Sequence, residues 1–210
     1  MNFGMPFQAV IFDLGGVVLG SPLHAIAHYE EELGIPAGSV NRVVGSTGEA
    51  GAWSKLERGL FDLEQFFPAF EKDCADAGFA ISASTMFERM GAATAPRPTM
   101  LRAIERLREE GLQTAALTNN WATGNPGPNP LRPFFDEFVE SAIEGVQKPD
   151  PRIYELVLGR LDVAAPEAVF LDDIGRNLKT ARAMGMTTIK VDDPAVALAA
   201  LETHIGFSLA

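Results

Sequence analysis

Five short apolar runs recur along the chain and predict the strands of one sheet. They span residues 8–12, 113–117, 137–141, 168–171 and 187–191. Most of them lack alternation of apolar and polar residues, which is typical of parallel strands covered by helices on both faces. Segments with helical spacing separate the runs, so the pattern predicts an α/β protein with a doubly wound parallel sheet.

The helical segments between the later runs carry start and stop signals. We expect Thr99 to cap one helix, which Gly111 ends. A second helix is expected to begin where Asp150 precedes Pro151, because Pro is favoured in a first helical turn. A third apolar pattern with helical spacing ends at Gly185.

Residues 20–95 interrupt this alternation, because they contain apolar residues at helical spacing and no convincing strand. Asp62 and Gln65 are placed there as a variant of the capping box. We therefore predict a core of residues 1–19 and 96–210 with a helical cap inserted at 20–95. Such a cap would lie above the carboxyl ends of the strands, where doubly wound folds bind ligands.

Two segments rich in turn-forming residues accompany this division. The sequence Ala-Pro-Arg-Pro at 95–98 is the expected hinge from the insertion back to the core. Residues 121–133, rich in Gly, Pro and Asn, form a long irregular segment. Loops of this length in compact domains are more often functional than idle.

Composition and charge narrow the classes of function. The chain has 210 residues, 47% of them hydrophobic, and no apolar stretch near the roughly 18 residues that span a bilayer. Neither a secretory signal pattern nor a second cysteine beside Cys74 is present, so a cytoplasmic protein is expected. A net charge of −11 argues against nucleic acid or anionic membrane as a partner. The sequence does not distinguish a monomer from a homodimer.

Polar residues with chemical potential follow several of the apolar runs. They are Asp13 before Gly15-Gly16, Thr118-Asn119, Lys148 ahead of the helix at Pro151, and Asp172-Asp173. Taken singly, Asp13, Thr118 and Lys148 have plain structural explanations as a helix cap, a loop residue and a solvated charge. Asp172-Asp173 is harder to explain in this way, because two adjacent carboxylates after a buried strand repel each other unless a cation or a donor is present. Together, at one edge of one sheet, they supply a nucleophilic carboxylate, a hydroxyl, an ammonium group and an acidic pair. Those are the parts of a metal-assisted phosphoryl-transfer site.

These motifs resemble the haloacid dehalogenase (HAD) superfamily. The segments that carry the resemblance are Ala9 to Val17, Leu117 to Asn119, Lys148 to Tyr154 and Phe170 to Leu178. Within the superfamily, the chain is most similar to the phosphatase domains found at the N-terminus of soluble epoxide hydrolases and fused to some acyl-CoA dehydrogenases. The resemblance extends over nearly the whole chain and is weakest in the insertion and in 121–133.

The resemblance implies a Mg²⁺-dependent phosphatase of small phosphorylated metabolites. Asp13 matches the nucleophile that forms an aspartyl-phosphate. Thr118 and Asn119 match residues that donate hydrogen bonds to phosphoryl oxygens, and Lys148 matches the cation that steadies nucleophile and phosphate.

The resemblance also implies a metal site. Asp13, Asp173 and the backbone carbonyl of Gly15 match the Mg²⁺ ligands, and Asp172 and Asn177 match supporting polar residues. Mg²⁺ prefers oxygen ligands and neutralises charge between an anionic nucleophile and an anionic substrate. An acidic protein that binds phosphate needs such local positive charge.

Position 15 departs from the family pattern. Most family phosphatases carry there a second Asp, the general acid for the leaving group, whereas this chain has Gly15. General acid catalysis contributes ~10²–10⁴-fold, so its loss should slow the hydrolysis of alkyl phosphates. Glu49, His24 or water are alternative proton sources, and the sequence does not choose among them.

Two other functions stay open from the sequence. A 2-haloacid dehalogenase also lacks the second Asp but attacks carbon without a metal. Asp172-Asp173 argues against it, since an acidic pair without a cation would repel a carboxylate substrate. A weakly active or non-catalytic HAD-like binding domain is the third possibility; Gly15 favours it, whereas the presence of Asp13 and Lys148 opposes it.

Overall fold

A computed structural model describes residues 7–122 and 129–209. A five-stranded parallel sheet lies at the centre of these residues. Its strands are β1 (Ala9–Phe12), β2 (Gln113–Thr118), β3 (Glu137–Glu140), β4 (Ala168–Asp172) and β5 (Thr187–Lys190). Every apolar run therefore forms a strand within one residue of its predicted bounds, and the predicted fold class is confirmed.

The strand order in the sheet is β3-β2-β1-β4-β5. Phe12 at the end of β1 pairs with Ala116 of β2 on one side and with Leu171 of β4 on the other. The order of strands reverses between β1 and β4, so the connections that leave these two strands diverge. Doubly wound sheets bind ligands in the crevice that such a divergence opens.

The insertion between β1 and β2 is helical. Its described helices are α1 (Pro22–Glu32), α2 (Ser39–Thr47), α3 (Ala52–Glu57), α4 (Leu63–Asp76) and α5 (Ala83–Ala93). They pack around a hydrophobic cluster of their own, which includes Leu56, Phe66 and Phe70. The predicted capping box is present at the start of α4, since Gln65 N–H donates to Asp62 Oδ1 at 2.8 Å and Asp62 N–H donates to Gln65 Oε1 at 3.2 Å. The division of the chain at residues 19/20 and 95/96 stays a prediction.

The remaining helices cover the two faces of the sheet. They are α6 (Pro98–Glu109), the short α7 (Ser141–Glu144), α8 (Pro151–Leu161), α9 (Gly175–Ala183) and α10 (Pro194–Ile205). Helices α6 and α10 pack on the face that carries Val10 and Phe12, and α8 and α9 pack on the face that carries Ala9 and Ile11. Successive β1 side chains thus point into opposite layers, which explains why the strand is apolar throughout. No helix among the described residues has the length and apolar character to cross a membrane.

The predicted start of one core helix was wrong. Arg97, and not Thr99, occupies the N-cap of α6, and Pro98 is the first helical residue. Proline suits that position because its fixed φ is helical and its missing N–H would have no intrahelical partner. At α8 the prediction holds, because Asp150 Oδ1 accepts a hydrogen bond from Arg152 N at 3.0 Å.

The two ends of the insertion lie side by side. Leu19 and Pro96 form an antiparallel bridge, and Arg97 N–H donates to Val18 O at 2.9 Å. The Arg97 guanidinium also donates from Nη1 to the carbonyl oxygens of Gly16 at 2.7 Å and Val17 at 3.1 Å. The segment at 95–98, which is predicted as a hinge, therefore binds the turn that follows β1 through the Arg97 side chain. Of the irregular segment at 121–133, residues 123–128 lie outside the described part of the chain.

Candidate active site

Strand β1 delivers Asp13 to the carboxyl edge of the sheet. Asp13 N–H donates to Leu171 O at 2.9 Å, and Asp13 Oδ1 accepts from Leu14 N–H at 2.7 Å. The chain then turns back through Gly16, whose φ is +77°. These contacts fix the carboxylate at the crevice between β1 and β4.

Lys148 places a buried ammonium group against this carboxylate. Its Nζ lies 3.0 Å from Asp13 Oδ1 and 2.7 Å from Asp172 Oδ2, and the side chain is 1% exposed. Burial works against the charge, but Asp13 and Asp172 outweigh it and raise the pKa of Lys148 above its ordinary value. Lys148 therefore stays cationic beside Asp13.

Asp172 is fully buried and its carboxylate is committed to the protein. Besides Lys148, it accepts from Ile174 N–H at 2.7 Å and from Asn177 Nδ2 at 3.2 and 3.1 Å to its two oxygens. The side chain lies behind the site and holds Lys148 and the start of α9 in place. The supporting role expected of Asp172 around a metal stays a prediction.

Asp13, Asp172 and Asp173 offer carboxylate oxygens that lie within 4.8 Å of one another. Burial raises the pKa of Asp13 to about 8, with Lys148 opposing and Asp172 and Asp173 adding to the shift. Burial and the charge of Asp172 raise the pKa of Asp173 to about 6. So much negative charge in one place disfavours ionisation unless a cation is bound.

The residues around this cluster suit a Mg²⁺ ion. Asn177 Oδ1 is buried and has no hydrogen-bond partner among the described residues. Asp13, Gly15 and Asp173 line the same cavity as Asn177. Carboxylate and carbonyl oxygens with room for water are the ligands that Mg²⁺ prefers. The donor set implied by the resemblance therefore fits the ion.

Thr118 is the last residue of β2 and Asn119 follows it, at the same edge of the sheet. Thr118 is 4% exposed and lines the cavity, and among residues 7–122 and 129–209 its hydroxyl donates only over a long 3.4 Å contact to Asn119 O. The Asn119 amide is engaged, because Oδ1 accepts from Lys148 N–H at 2.8 Å and Nδ2 donates to Lys148 O at 3.0 Å. A hydrogen bond from Asn119 to a ligand is therefore expected from its main-chain N–H.

A cavity of about 460 Å³ lies between this edge of the sheet and the insertion. Its floor holds the predicted site residues Asp13, Gly15, Thr118, Asn119, Lys148, Asp173 and Asn177. Its walls are mostly apolar, with contributions from Leu19, Leu23, Ile26, Val44, Trp53, Phe87, Met90 and Trp121. The predicted placement of the insertion above the strand ends therefore agrees with the structure.

Aromatic rings close the upper part of this cavity. Trp53 packs edge-on against Phe66 and Phe70 of α4, with ring centroids 5.7 and 5.3 Å apart. Trp121 follows β2 in the core, and its ring centroid lies 4.9 Å from that of Phe87 in the insertion. The core and the insertion thus share one aromatic cluster, which fixes the position of Trp53.

Glu57, at the end of α3, is a cavity residue that sequence reasoning missed. Its side chain is buried, Oε1 accepts from Trp53 Nε1 at 2.9 Å, and Oε2 accepts from Asn119 Nδ2 at 3.2 Å. Its carbonyl oxygen accepts from the Ser141 hydroxyl at 2.5 Å. A glutamate in an amphipathic segment is ordinarily read as solvated, so nothing in the sequence singled it out.

His24 and Glu49, named above as alternative proton sources, are exposed and do not line the cavity. The structure therefore removes both from that role. Arg176, which precedes Asn177 in α9, does line the cavity and adds positive charge to that of Lys148. From the sequence, only Lys148 and a bound metal are expected to supply positive charge at this site.

Comparison with known proteins agrees with this geometry. The model of the haloacid dehalogenase-like hydrolases matches residues 7–185. The chain therefore belongs to that family and is a HAD-like hydrolase.

Similarity to individual relatives extends over almost the whole chain. It is 40% identical over 211 residues to acyl-CoA dehydrogenase family member 10 from Mus musculus, covering 98% of this chain and 20% of that protein. It is 35% identical over 221 residues to bifunctional epoxide hydrolase 2 from Sus scrofa, covering 98% and 40%. The chain thus spans two fifths or less of the length of these two relatives. A sesquiterpene phosphatase from Aspergillus oryzae is 27% identical over 206 residues, which cover 95% of this chain and 97% of that protein.

Solved structures share the fold. A HAD-like family hydrolase from Porphyromonas gingivalis superposes with a TM-score of 0.69 at 20% identity, covering 94% of this chain and 97% of that one. A HAD family enzyme from Bacteroides thetaiotaomicron, in complex with magnesium and inorganic phosphate, has a TM-score of 0.61 at 19% identity, covering 88% and 93%.

Proposed function

We propose that this hydrolase is a Mg²⁺-dependent phosphatase that acts on organic phosphate monoesters of largely apolar alcohols. The observation that carries the proposal is the Asp13 carboxylate, 3.0 Å from Lys148 Nζ, on the floor of an apolar cavity. Asp173 and the orphaned oxygen of Asn177 lie beside it and suit the metal. Phosphatases occur among the relatives, including one named for a sesquiterpene.

Each floor residue has a chemical role in this proposal. The Asp13 carboxylate attacks phosphorus, and an aspartyl-phosphate forms as the ester bond breaks. Lys148 and the Thr118 hydroxyl bind phosphoryl oxygens and orient the group for in-line attack. Bound Mg²⁺, held by Asp13, Asp173 and the Gly15 carbonyl, would neutralise charge on the phosphoryl group. Water then attacks the aspartyl-phosphate and frees Asp13.

The walls of the cavity support an apolar alcohol as the rest of the substrate. Ile26, Val44, Phe87 and Met90 offer aliphatic and aromatic surface and no charge. Burying apolar area there contributes about 25 cal/mol per Å². Sugar or nucleoside phosphates would bring hydroxyls that these side chains cannot hydrogen-bond.

The test compares purified wild type with Asp13→Asn and, as a matched control, Asp192→Asn at an exposed carboxylate. Phosphate release from an aryl phosphate and from an aliphatic long-chain phosphate is measured with Mg²⁺ and after chelation. We expect Mg²⁺-dependent turnover in the wild type and the control, and none in Asp13→Asn, because the amide is nearly isosteric but not nucleophilic.

Substantial turnover by Asp13→Asn would contradict the assignment of the nucleophile. Halide release from 2-haloacids by chelated protein, without phosphate release, would identify a dehalogenase instead.

A further inference from the structure

The cavity contains one acidic side chain that the proposed steps do not use. Glu57 reaches it from α3, whereas the Asp residues of the site stand on the strand ends below. Because Gly15 has no side chain, position 15 offers no carboxyl group to the leaving oxygen, and the proposed steps already use Asp13 as the nucleophile and Asp173 as a metal ligand. This inference rests on the proposed phosphatase function and concerns the group that protonates that oxygen.

Hydrogen bonds hold the Glu57 carboxyl in one orientation. Trp53 Nε1 donates to Oε1 at 2.9 Å, and Asn119 Nδ2 donates to Oε2 at 3.2 Å. An indole N–H and an amide NH₂ are donors only. Neither partner can accept a proton from Glu57, so a proton on this carboxyl is left for an acceptor in the cavity.

The surroundings of Glu57 favour the protonated form. Burial raises the pKa of Glu57 above its ordinary value, and this outweighs the opposite effects of the Trp53 and Asn119 donors and of the charges on Arg176 and Lys148. A carboxyl group with a raised pKa is suited to general acid work near neutral pH.

Glu57 is also fixed relative to the floor of the site. Its Asn119 partner is bound through both amide atoms to the main chain of Lys148, at 2.8 and 3.0 Å. Lys148 Nζ in turn contacts Asp13. Three contacts, which run through the Asn119 side chain and the length of Lys148, therefore connect the Glu57 carboxyl to Asp13. Ser141 also anchors the Glu57 main chain to the core.

We infer that Glu57 is the general acid and base of this phosphatase, in place of the carboxyl group absent at position 15. In the first half-reaction, a bond forms between Asp13 and phosphorus, the bond from phosphorus to the leaving oxygen breaks, and that oxygen takes the Glu57 proton. In the second, water attacks phosphorus, Glu57 takes a proton from that water, and the bond from phosphorus to Asp13 breaks. Glu57 is then protonated again.

The test uses a series of phosphate monoesters graded by the pKa of the leaving alcohol or phenol. Single-turnover rates with Mg²⁺ are compared for wild type, Glu57→Gln and Glu49→Gln. The last is the matched control, since Glu49 is an exposed glutamate on the same insertion, outside the cavity. Aryl esters report on folding and on the attack by Asp13, because their leaving groups need no proton.

We expect Glu57→Gln to slow alkyl esters by about 100-fold or more while aryl esters change far less. The alkyl rates of the wild type should fall as pH rises through the pKa of Glu57, and this limb should vanish in Glu57→Gln. Glu49→Gln should behave as the wild type. An equal loss for all esters, or no loss, would overturn the assignment, because the role of Glu57 would then be structural or nil.

Gly15→Asp in the Glu57→Gln background is a second, independent arm. Gly15 has φ −64°, and a Cβ atom there would lie 3.5 Å from Pro22, an ordinary contact. An acid at position 15 should therefore restore alkyl rates, whereas Gly15→Asn should not. If the double variant Gly15→Asp/Glu57→Gln favours aryl esters as strongly as Glu57→Gln does, the loss of the Glu57 proton is not the cause of the slow alkyl-ester rates. A wild type that hydrolyses no ester would refute the phosphatase proposal itself, a separate outcome.

Discussion

A Cβ atom at Gly16 would lie 2.1 Å from Oδ2 of Asp173. The turn after β1 therefore presses its backbone against a carboxylate of the site, and φ of +77° at Gly16 makes any side chain there strained as well. Gly16→Ala should destabilise the protein by ~1–3 kcal/mol and weaken any response to Mg²⁺. Gly15→Ala is the matched control and should be nearly neutral. Urea unfolding of both variants checks this, and similar losses in the two would contradict it.

Binding of Mg²⁺ should raise the melting temperature of the wild type by mass action. A ligand at 100 times its Kd stabilises a protein by about 2.7 kcal/mol. Asp173→Ala should remove the shift, since it deletes a carboxylate of the cluster, whereas Asp192→Ala at an exposed site should keep it. Thermal melts across a Mg²⁺ titration measure the effect. An undiminished shift in Asp173→Ala would place the ion elsewhere.

The stability of metal-free protein should fall as pH rises from about 4 to about 8. In the folded state the pKa values of Asp173 and Asp13 are raised to about 6 and about 8, from an ordinary value of 3.8. The folded state therefore keeps protons in this range that the unfolded chain has released, and such stability is lost as pH rises through the folded pKa. Urea unfolding at several pH values measures how the free energy of unfolding depends on pH. Asp13→Asn should weaken this dependence in the upper part of the pH range. Stability that rises from pH 5 to 8 in chelator would contradict this.

Narrowing the cavity should discriminate among substrates. Val44→Trp places a large ring in the apolar wall, so long-chain phosphates should lose kcat/KM by about tenfold or more, whereas a small aryl phosphate should lose less. Val196→Trp, at a valine that is 70% exposed on α10, is the matched control. Steady-state kinetics on both esters give the comparison. Equal losses of kcat/KM for the long-chain phosphate and the small aryl phosphate in Val44→Trp would show that the apolar wall does not bind the substrate chain.

The centre of the sheet could be predicted from the sequence because β1 and most of β4 are apolar and buried on both faces. Val10 and Phe12 enter one core cluster and Ile11 the other, so the run has no polar position to obscure it. The residues at the strand ends were predictable for a related reason. Asp13 and Thr118 each follow such a run directly, and Asp173 follows its run after Asp172. Parallel strands bring their carboxyl ends together.

Residues whose roles depend on contacts distant in sequence escaped prediction. Glu57 faces the cavity only because α3 docks against Ser141 and Asn119 of the core, 84 and 62 residues further along. Arg97 lies in the segment predicted as a hinge, yet its guanidinium binds the turn that follows Asp13. Neither contact has a local signature, because each arises from the packing of two separate units.

The bridge between Leu19 and Pro96 has a consequence for how such enzymes diversify. Since the insertion leaves and rejoins the core at adjacent points, its interior can lengthen, shorten or be replaced without moving a strand of the sheet. The proposed catalytic residues around Asp13 and the cavity walls proposed to bind the substrate can then change at different evolutionary rates. A chimera that exchanges residues 20–95 between relatives would transfer substrate preference while leaving the nucleophile in place.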